Sequence, residues 1–182
     1  TLGNVGRDPD VARDAARAID AAQSGGAALD PTAADAIVAV AASRGDAHTF
    51  EALAAAAAHA TSPGEHYRYL YSLAGFTDPA LIRRGLEGVL SPDLRAQDAS
   101  PYLMRFFRNP AARVPAWTFV KQHWDALAPK VMVFGGDRRI VGALGAFCDA
   151  GTRDDIRAFF AAHPLPATSR VLAQTLERID AC

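Results

Sequence analysis

Five histidines, two cysteines and a run of arginines are the residues with which this chain can do chemistry. The histidines are His48, His59, His66, His123 and His163, and no pair of them stands at the i, i+4 spacing of an H-E-x-x-H zinc helix. His59 and His66 flank Ser62-Pro63, a helix-start dipeptide, and so fall on different helices; Glu65 beside His66 reads as a solvent-facing first turn rather than a metal pair. No G-x-S-x-G elbow is present to expose a nucleophilic serine. Gly135-Gly136-Asp137 lacks the Lys-Ser/Thr that holds nucleotide phosphates and reads as a turn before a helix capped by Asp137. The acidic pairs Asp93/Asp98 and Asp154-Asp155 sit at helix starts, where the macrodipole favours them without catalysis. Cys148 and Cys182 have no metal-knuckle or redox-motif spacing, and their number leaves one disulfide open and with it the compartment. Arg83, Arg84, Arg95, Arg105, Arg108 and Arg113 cluster, with Phe106 and Phe107 beside two of them. A nucleic-acid groove interleaves cations with aromatics in this way. Amphipathic helices with solvated basic faces account for the same pattern, so nucleic acid is not expected as a partner.

The elements that must position these residues are helices. A short polar residue followed by proline recurs at Asp8-Pro9, Asp30-Pro31, Ser62-Pro63, Asp78-Pro79, Ser91-Pro92, Ser100-Pro101 and Asn109-Pro110. Asp, Ser or Asn at an N-cap accepts from an orphan N–H of the first turn, and proline after it loses nothing. Gly45-Asp46 and Gly151-Thr152 read as further boundaries. Behind these starts apolar residues recur at helical spacing, as in Ile82, Leu86, Val89 and Leu90, or Ile156, Phe159 and Phe160. About ten helices are expected, most of 11–16 residues by that spacing. Val131-Met132-Val133-Phe134 is the one strand-like run, too short for a sheet, and reads as an extended connector. The starts at 30, 46, 62 and 78 recur at one interval, so two steps make a helical hairpin of about thirty-two residues. The fold class is therefore all-α: an α-solenoid of antiparallel helix pairs, HEAT- or armadillo-like, forming a single helical-repeat domain over residues 1–182.

Composition bounds the rest. The 182 residues carry a formal net charge of −1, half are hydrophobic, and lysine occurs only at Lys121 and Lys130. No apolar run reaches the roughly 20 residues that cross a bilayer, and no signal peptide opens the chain, so a membrane is not expected as a partner. Abundant arginine and alanine suggest a GC-rich bacterial coding bias. The chain begins at Thr1 rather than Met, as a fragment or processed product does.

Both tryptophans fall in the segment "RNPAARVPAWTFVKQHWDAL" at 108–127, behind Arg-Asn-Pro. On one helix Trp117 and Trp124 would share a face, extended by Val114, Val120 or Lys121, and Leu127. Arg108, Asn109, Pro110, Ala116, Trp117, Phe119, Trp124, Leu127 and Lys130 together resemble a segment in the C-terminal helical domain of gluzincin zinc aminopeptidases, the aminopeptidase N, puromycin-sensitive and endoplasmic-reticulum types. His123 stands where that segment commonly has Asn. "LGNVGRDPDVARDA", "GDAHTFEAL", "SPGEHYRYLYSLAGFTDPALIRRGL", "DDIRAFFAAH" and "RVLAQTLERI" are similar to further pieces of that domain, in the same order.

The resemblance implies the second half of an α-solenoid that closes over a catalytic domain, shapes a peptide-access chamber and does no bond-breaking itself. It implies no cofactor in this chain and a zinc ion in the parent's catalytic domain. The implied partners are that catalytic domain and a peptide substrate. As a fragment, the chain is expected to expose an apolar face on its N-terminal helices, through which a homodimer would form. The resemblance also implies that Arg108 faces the chamber, where a guanidinium fork suits a peptide's terminal carboxylate, with Arg105 and Tyr71 as weaker chamber residues. Against this stands a capping role for Arg108 on the C-terminal carbonyls of the preceding helix. Cytoplasm and periplasm both remain open. The alternative function is a free-standing helical-repeat module that binds a protein or peptide.

Overall fold

A computed structural model describes residues 8–25 and 29–182. These contain eleven α-helices and no β-strand. Residues 2–7, which open the stretch LGNVGRDPDVARDA of the resemblance, lie outside the described residues. The chain forms two compact units, Thr1–Gly85 and Leu86–Cys182.

Unit 1 holds α1 (Pro9–Gln23), α2 (Ala34–Arg44), α3 (Ala47–His59), α4 (Pro63–Ser72) and the start of α5 (Pro79–Leu90). The helix starts at Asp8, Asp46, Ser62 and Asp78 are where the sequence puts them. Asp8 Oδ1 accepts from the Asp10 N–H at 2.9 Å, Asp46 Oδ1 from Thr49 at 2.9 Å, Ser62 Oγ from Glu65 at 3.3 Å, and Asp78 Oδ1 from Ala80 at 2.8 Å. Bonding to Thr49 holds the Asp46 carboxyl below the usual aspartate range. At Asp30-Pro31 the expected start is displaced. Asp30 instead shapes a turn by accepting from the Thr32 N–H at 2.7 Å, and α2 begins at Ala34. Helices α1 and α2 pack together, as do α3 and α4, and α1 also packs on α3. Short connections make the successive pairs antiparallel, the arrangement expected of stacked helix pairs. Ile19, Val38, Phe50, Leu53 and Phe76 are buried, with the Phe50 and Phe76 rings 5.2 Å apart. Buried Ala34, Ala41, Ala42 and Ala57 let the backbones approach closely.

Unit 2 holds the end of α5, then α6 (Ala96–Arg108), α7 (Arg113–Gln122), α8 (Trp124–Val131), α9 (Gly136–Ala143), α10 (Ala150–Ala162) and α11 (Ser169–Asp180). Helix α6 packs on α7, α8 and α9, and α11 packs on α9 and α10. Its core is aromatic and aliphatic: Tyr102, Leu103, Phe106, Phe107, Leu127, Ile140, Leu144 and Ile156 are among the most deeply buried.

Several expected boundaries move in this unit, each for a local reason. Ser100-Pro101 does not open a helix. Pro101 lies inside α6, because burying Ala99, Ser100 and Tyr102 outweighs the one hydrogen bond that proline removes. Ser91-Pro92 is a turn in which Ser91 Oγ accepts from the Asp93 N–H at 3.2 Å. Asn109-Pro110 begins a turn rather than a helix: Asn109 Oδ1 accepts from the Ala111 N–H at 3.0 Å, and α7 starts at Arg113. Helix α10 is capped by Asp149 rather than Thr152, its Oδ1 taking the Thr152 N–H at 2.7 Å. The cap of α9 is Gly135 in the left-handed region at φ 73°, and Asp137 sits in the first turn.

Val131 to Phe134 is not an extended connector. Val131 ends α8, a short 3-10 turn follows over Val133–Gly135, and Phe134 itself is left-handed at φ 52°. Trp117 and Trp124 stand on two helices rather than one, because the chain breaks at His123 (φ −119°, ψ 20°). Val114 drops out of the expected apolar stripe and is 60 % exposed.

Candidate functional site

The Arg-Asn-Pro segment is the corner between α6 and α7. Tyr102, Leu103, Phe106 and Phe107 are buried along α6, so Arg105 and Arg108, one turn apart, project on the opposite, exposed face. Both lie in the last turn, where the helix dipole favours cations. Arg105 is engaged in an interaction of its own, whereas no hydrogen bond or ion pair holds the Arg108 guanidinium among the described residues.

The capping role weighed for Arg108 is filled by other residues. The Asn109 N–H donates to Phe106 O at 3.1 Å, and Arg113 Nε donates to Phe107 O at 3.3 Å, closing α6. The carbonyls at the end of the preceding helix, α5, are met by Lys130. Its Nζ donates to Val89 O at 3.3 Å and also to Ser91 O. Lys130 is thus a cap that ties α8 to α5. Tyr71 lies in unit 1 on α4, half-buried, its ring stacked on Tyr67 at 5.4 Å and 21°.

The remaining motif residues build the scaffold behind this corner. Trp117 meets Phe159 edge-on at 5.1 Å, and Trp124 meets it edge-on at 5.3 Å, so one phenylalanine of α10 sits against both indoles. Phe160 closes the cluster at 6.2 and 6.0 Å from the two rings. Phe119 is buried and packs against the His123 ring at 4.5 Å. His123 carries no side-chain cap, although its carbonyl accepts from the Leu127 N–H at 2.9 Å.

Asp155, which the sequence offers only as an acidic helix start, is the polar centre of this cluster. Its Oδ2 accepts from Trp117 Nε1 and from Lys121 Nζ, both at 2.6 Å. Partial burial pushes its carboxyl upward, but bonding to Lys121 and Trp117 outweighs this and leaves it below the usual aspartate range. The signal in the sequence was Trp and Lys four apart on one helix face, a pair that one carboxylate can serve.

The arginine cluster does not form the aromatic-lined groove weighed from the sequence. Phe106 and Phe107 are fully buried and cannot stack on bases. Arg84 pairs with Glu51 and lies 4.9 Å over the Phe50 ring, and Arg95 Nε binds Asp98 Oδ2 at 2.7 Å. No group of three or more His, Cys, Asp or Glu side chains is placed to hold a metal among the described residues. No helix is long and apolar enough to cross a membrane among them either.

The described residues form an all-helical fold of packed pairs, with the two tryptophans behind the α6–α7 corner. Residues 1–181 match the model of the ERAP1-like C-terminal domain family, and the chain belongs to that family. It is similar to aminopeptidase M1-A of Oryza sativa subsp. japonica, 31 % identical over 118 residues, and to aminopeptidase M1 of Arabidopsis thaliana, 29 % identical over 119 residues. Each match covers 63 % of this chain and 13 % of the relative, so the chain spans only a small part of the proteins it resembles.

Proposed function

We propose that this chain is the non-catalytic C-terminal part of a zinc-dependent aminopeptidase, where it caps the catalytic domain and shapes the chamber through which peptides reach it. Family membership over residues 1–181 and the aminopeptidase names of the relatives support the parentage. The single observation that carries the chamber role is Arg108: an exposed guanidinium in the last turn of α6, with no hydrogen bond or ion pair among the described residues and with its alternative structural role filled by Arg113 and Lys130. A free guanidinium fork is available to a peptide carboxylate in two charge-assisted bonds. In this reading zinc belongs to the catalytic domain of the parent protein, and no step assigned to this chain runs through it.

The test uses the full-length enzyme. Arg108→Ala is expected to raise KM for peptides with a free C-terminal carboxylate about tenfold. It is expected to leave hydrolysis of an aminoacyl anilide, which has no terminal carboxylate, unchanged. Equal effects on both substrates, or on neither, would remove the chamber role. A gene whose reading frame upstream of Thr1 lacks an H-E-x-x-H helix would remove the parentage.

The N-terminal homodimer carries less support. Among the described residues the large exposed apolar side chains are Val114, Met132 and Phe134, none of them on α1 or α2. The outward face of α1 is charged, with Arg13 paired to Asp10 and Arg17 to Asp14.

A further inference from the structure

Helix α11 packs on α9 and α10 with most of its surface facing solvent. Of its twelve residues only Thr175 and Ile179 are fully buried. Val171, Leu172 and Leu176 are half-buried, Val171 lies over Gly142 of α9, and the Arg178 guanidinium lies over Gly145. Its C-terminal end is nonetheless tied twice to the start of α10. Arg153 pairs with Asp180, and Cys148 forms a disulfide with Cys182. The two cysteine Cα atoms are 5.2 Å apart across a sequence separation of 34, a spacing at which a disulfide forms without moving the backbone. Both cysteine residues are exposed, so neither contributes to a core, and as free thiols both would be open to modification. Their contribution to the fold is the crosslink.

We propose that the Cys148–Cys182 disulfide is a permanent structural bond of the mature protein, that it staples α11 to α10, and that the protein therefore works in an oxidising compartment. The bond forms by exchange. The two thiols give up two protons and two electrons to the disulfide of a thiol–disulfide oxidoreductase, which leaves as a dithiol. In a reducing cytosol an exposed disulfide would be returned to thiols. There α11 would be held only by its packing on α9 and α10 and by the Arg153–Asp180 pair. This inference stands apart from the aminopeptidase reading, since it concerns the stability of unit 2 and not substrate handling.

The experiment takes the full chain produced by an oxidising secretory route. After denaturation and alkylation without reductant, the intact mass is expected to be that of the chain less two hydrogens, with no alkyl group added. Reduction of the folded protein is expected to lower Tm by about 5–15 °C. It should also open α11 to trypsin at Arg170 and Arg178 before any other helix. The C148S/C182S variant should show the lower Tm with no further response to reductant. Alkylation of both sulfurs in the unreduced protein, or a Tm and tryptic pattern unmoved by reductant, would overturn the proposal. The reduction arm uses the native sequence, so it stands even if the double variant fails to fold.

Discussion

Trp117 and Asp155 are 38 residues apart in sequence and are joined by a 2.6 Å hydrogen bond from indole Nε1 to carboxylate Oδ2. The ring is buried on its apolar side against Phe159 and Phe160, while its one polar atom meets a charge shared with Lys121. Two contributions are therefore separable by substitution. Trp117→Phe keeps most of the buried area and removes the donor, which should cost about 1–3 kcal/mol, because the acceptor is charged. Trp117→Ala removes both and should cost about 3–5 kcal/mol. Urea titration of both variants measures the difference. Equal losses would mean that the ring contributes nothing beyond the hydrogen bond, and an unchanged Trp117→Phe that the bond contributes nothing beyond the ring.

Acid should act on the same carboxylate. Asp155 titrates below its ordinary value of 3.8 in the folded chain, because Lys121 and Trp117 bond to its charged form strongly enough to outweigh partial burial. A group whose folded pKa is lowered contributes stability above its unfolded pKa and loses it as pH falls through the folded one. The contribution of Asp155 should therefore be complete above about pH 4 and decline below it. The carboxylate and Lys121 are both partly exposed, so solvent screens the pair and the effect is modest. Asp155→Asn should lower stability at pH 7 yet reduce the loss seen between about pH 4 and pH 2. Thermal melts across that range compare the two chains, and parallel curves would assign the acid response to other groups.

How far these features could be read in advance differs by element. The all-α class and the starts at Asp8, Asp46, Ser62 and Asp78 were legible, because a capping side chain acts on the three residues that follow it. The same dipeptide misled at Ser100-Pro101 and Asn109-Pro110. There tertiary burial of Ala99, Tyr102 and Phe106 decided the helix limits, and no local pattern reports that burial. The importance of the two tryptophans was legible from size alone. Their partners Phe159 and Asp155 were not, since the contact spans more than thirty residues and follows from how α7 and α10 pack. Arg108 was singled out only by resemblance; the structure adds that neighbouring residues leave it unpaired.

The α8–α9 junction carries a backbone cost that substitution should expose. Phe134 is left-handed at φ 52° with its ring 79 % exposed, so the side chain gives little in return for the strain. Phe134→Gly should be neutral or stabilise by up to about 1 kcal/mol. Two residues on, the sign reverses. A Cβ at Gly136 would collide with Val131 O and with Ser100, whose Oγ donates to Gly136 O at 3.4 Å. Gly136→Ala should therefore cost about 1–3 kcal/mol, whereas Gly64→Ala, in the open first turn of α4, should cost nothing. Chemical denaturation of the three variants checks the order, and a stable Gly136→Ala would show that the junction yields.

Lys130 and Arg108 are both cations of the tryptophan segment, and their surroundings predict opposite behaviour. Lys130 reaches the carbonyls of Val89 and Ser91 and so satisfies the end of α5. Lys130→Met keeps the stem and removes the donors, leaving part-buried carbonyls without their partner, for a loss of about 1–2 kcal/mol. Arg108 satisfies nothing among the described residues, so Arg108→Ala should change stability by less than about 0.5 kcal/mol. Measured side by side in urea, the pair separates a residue kept for the fold from one free to act outside it. A loss at Arg108 equal to that at Lys130 would return the arginine to the scaffold and leave the chamber reading without its guanidinium.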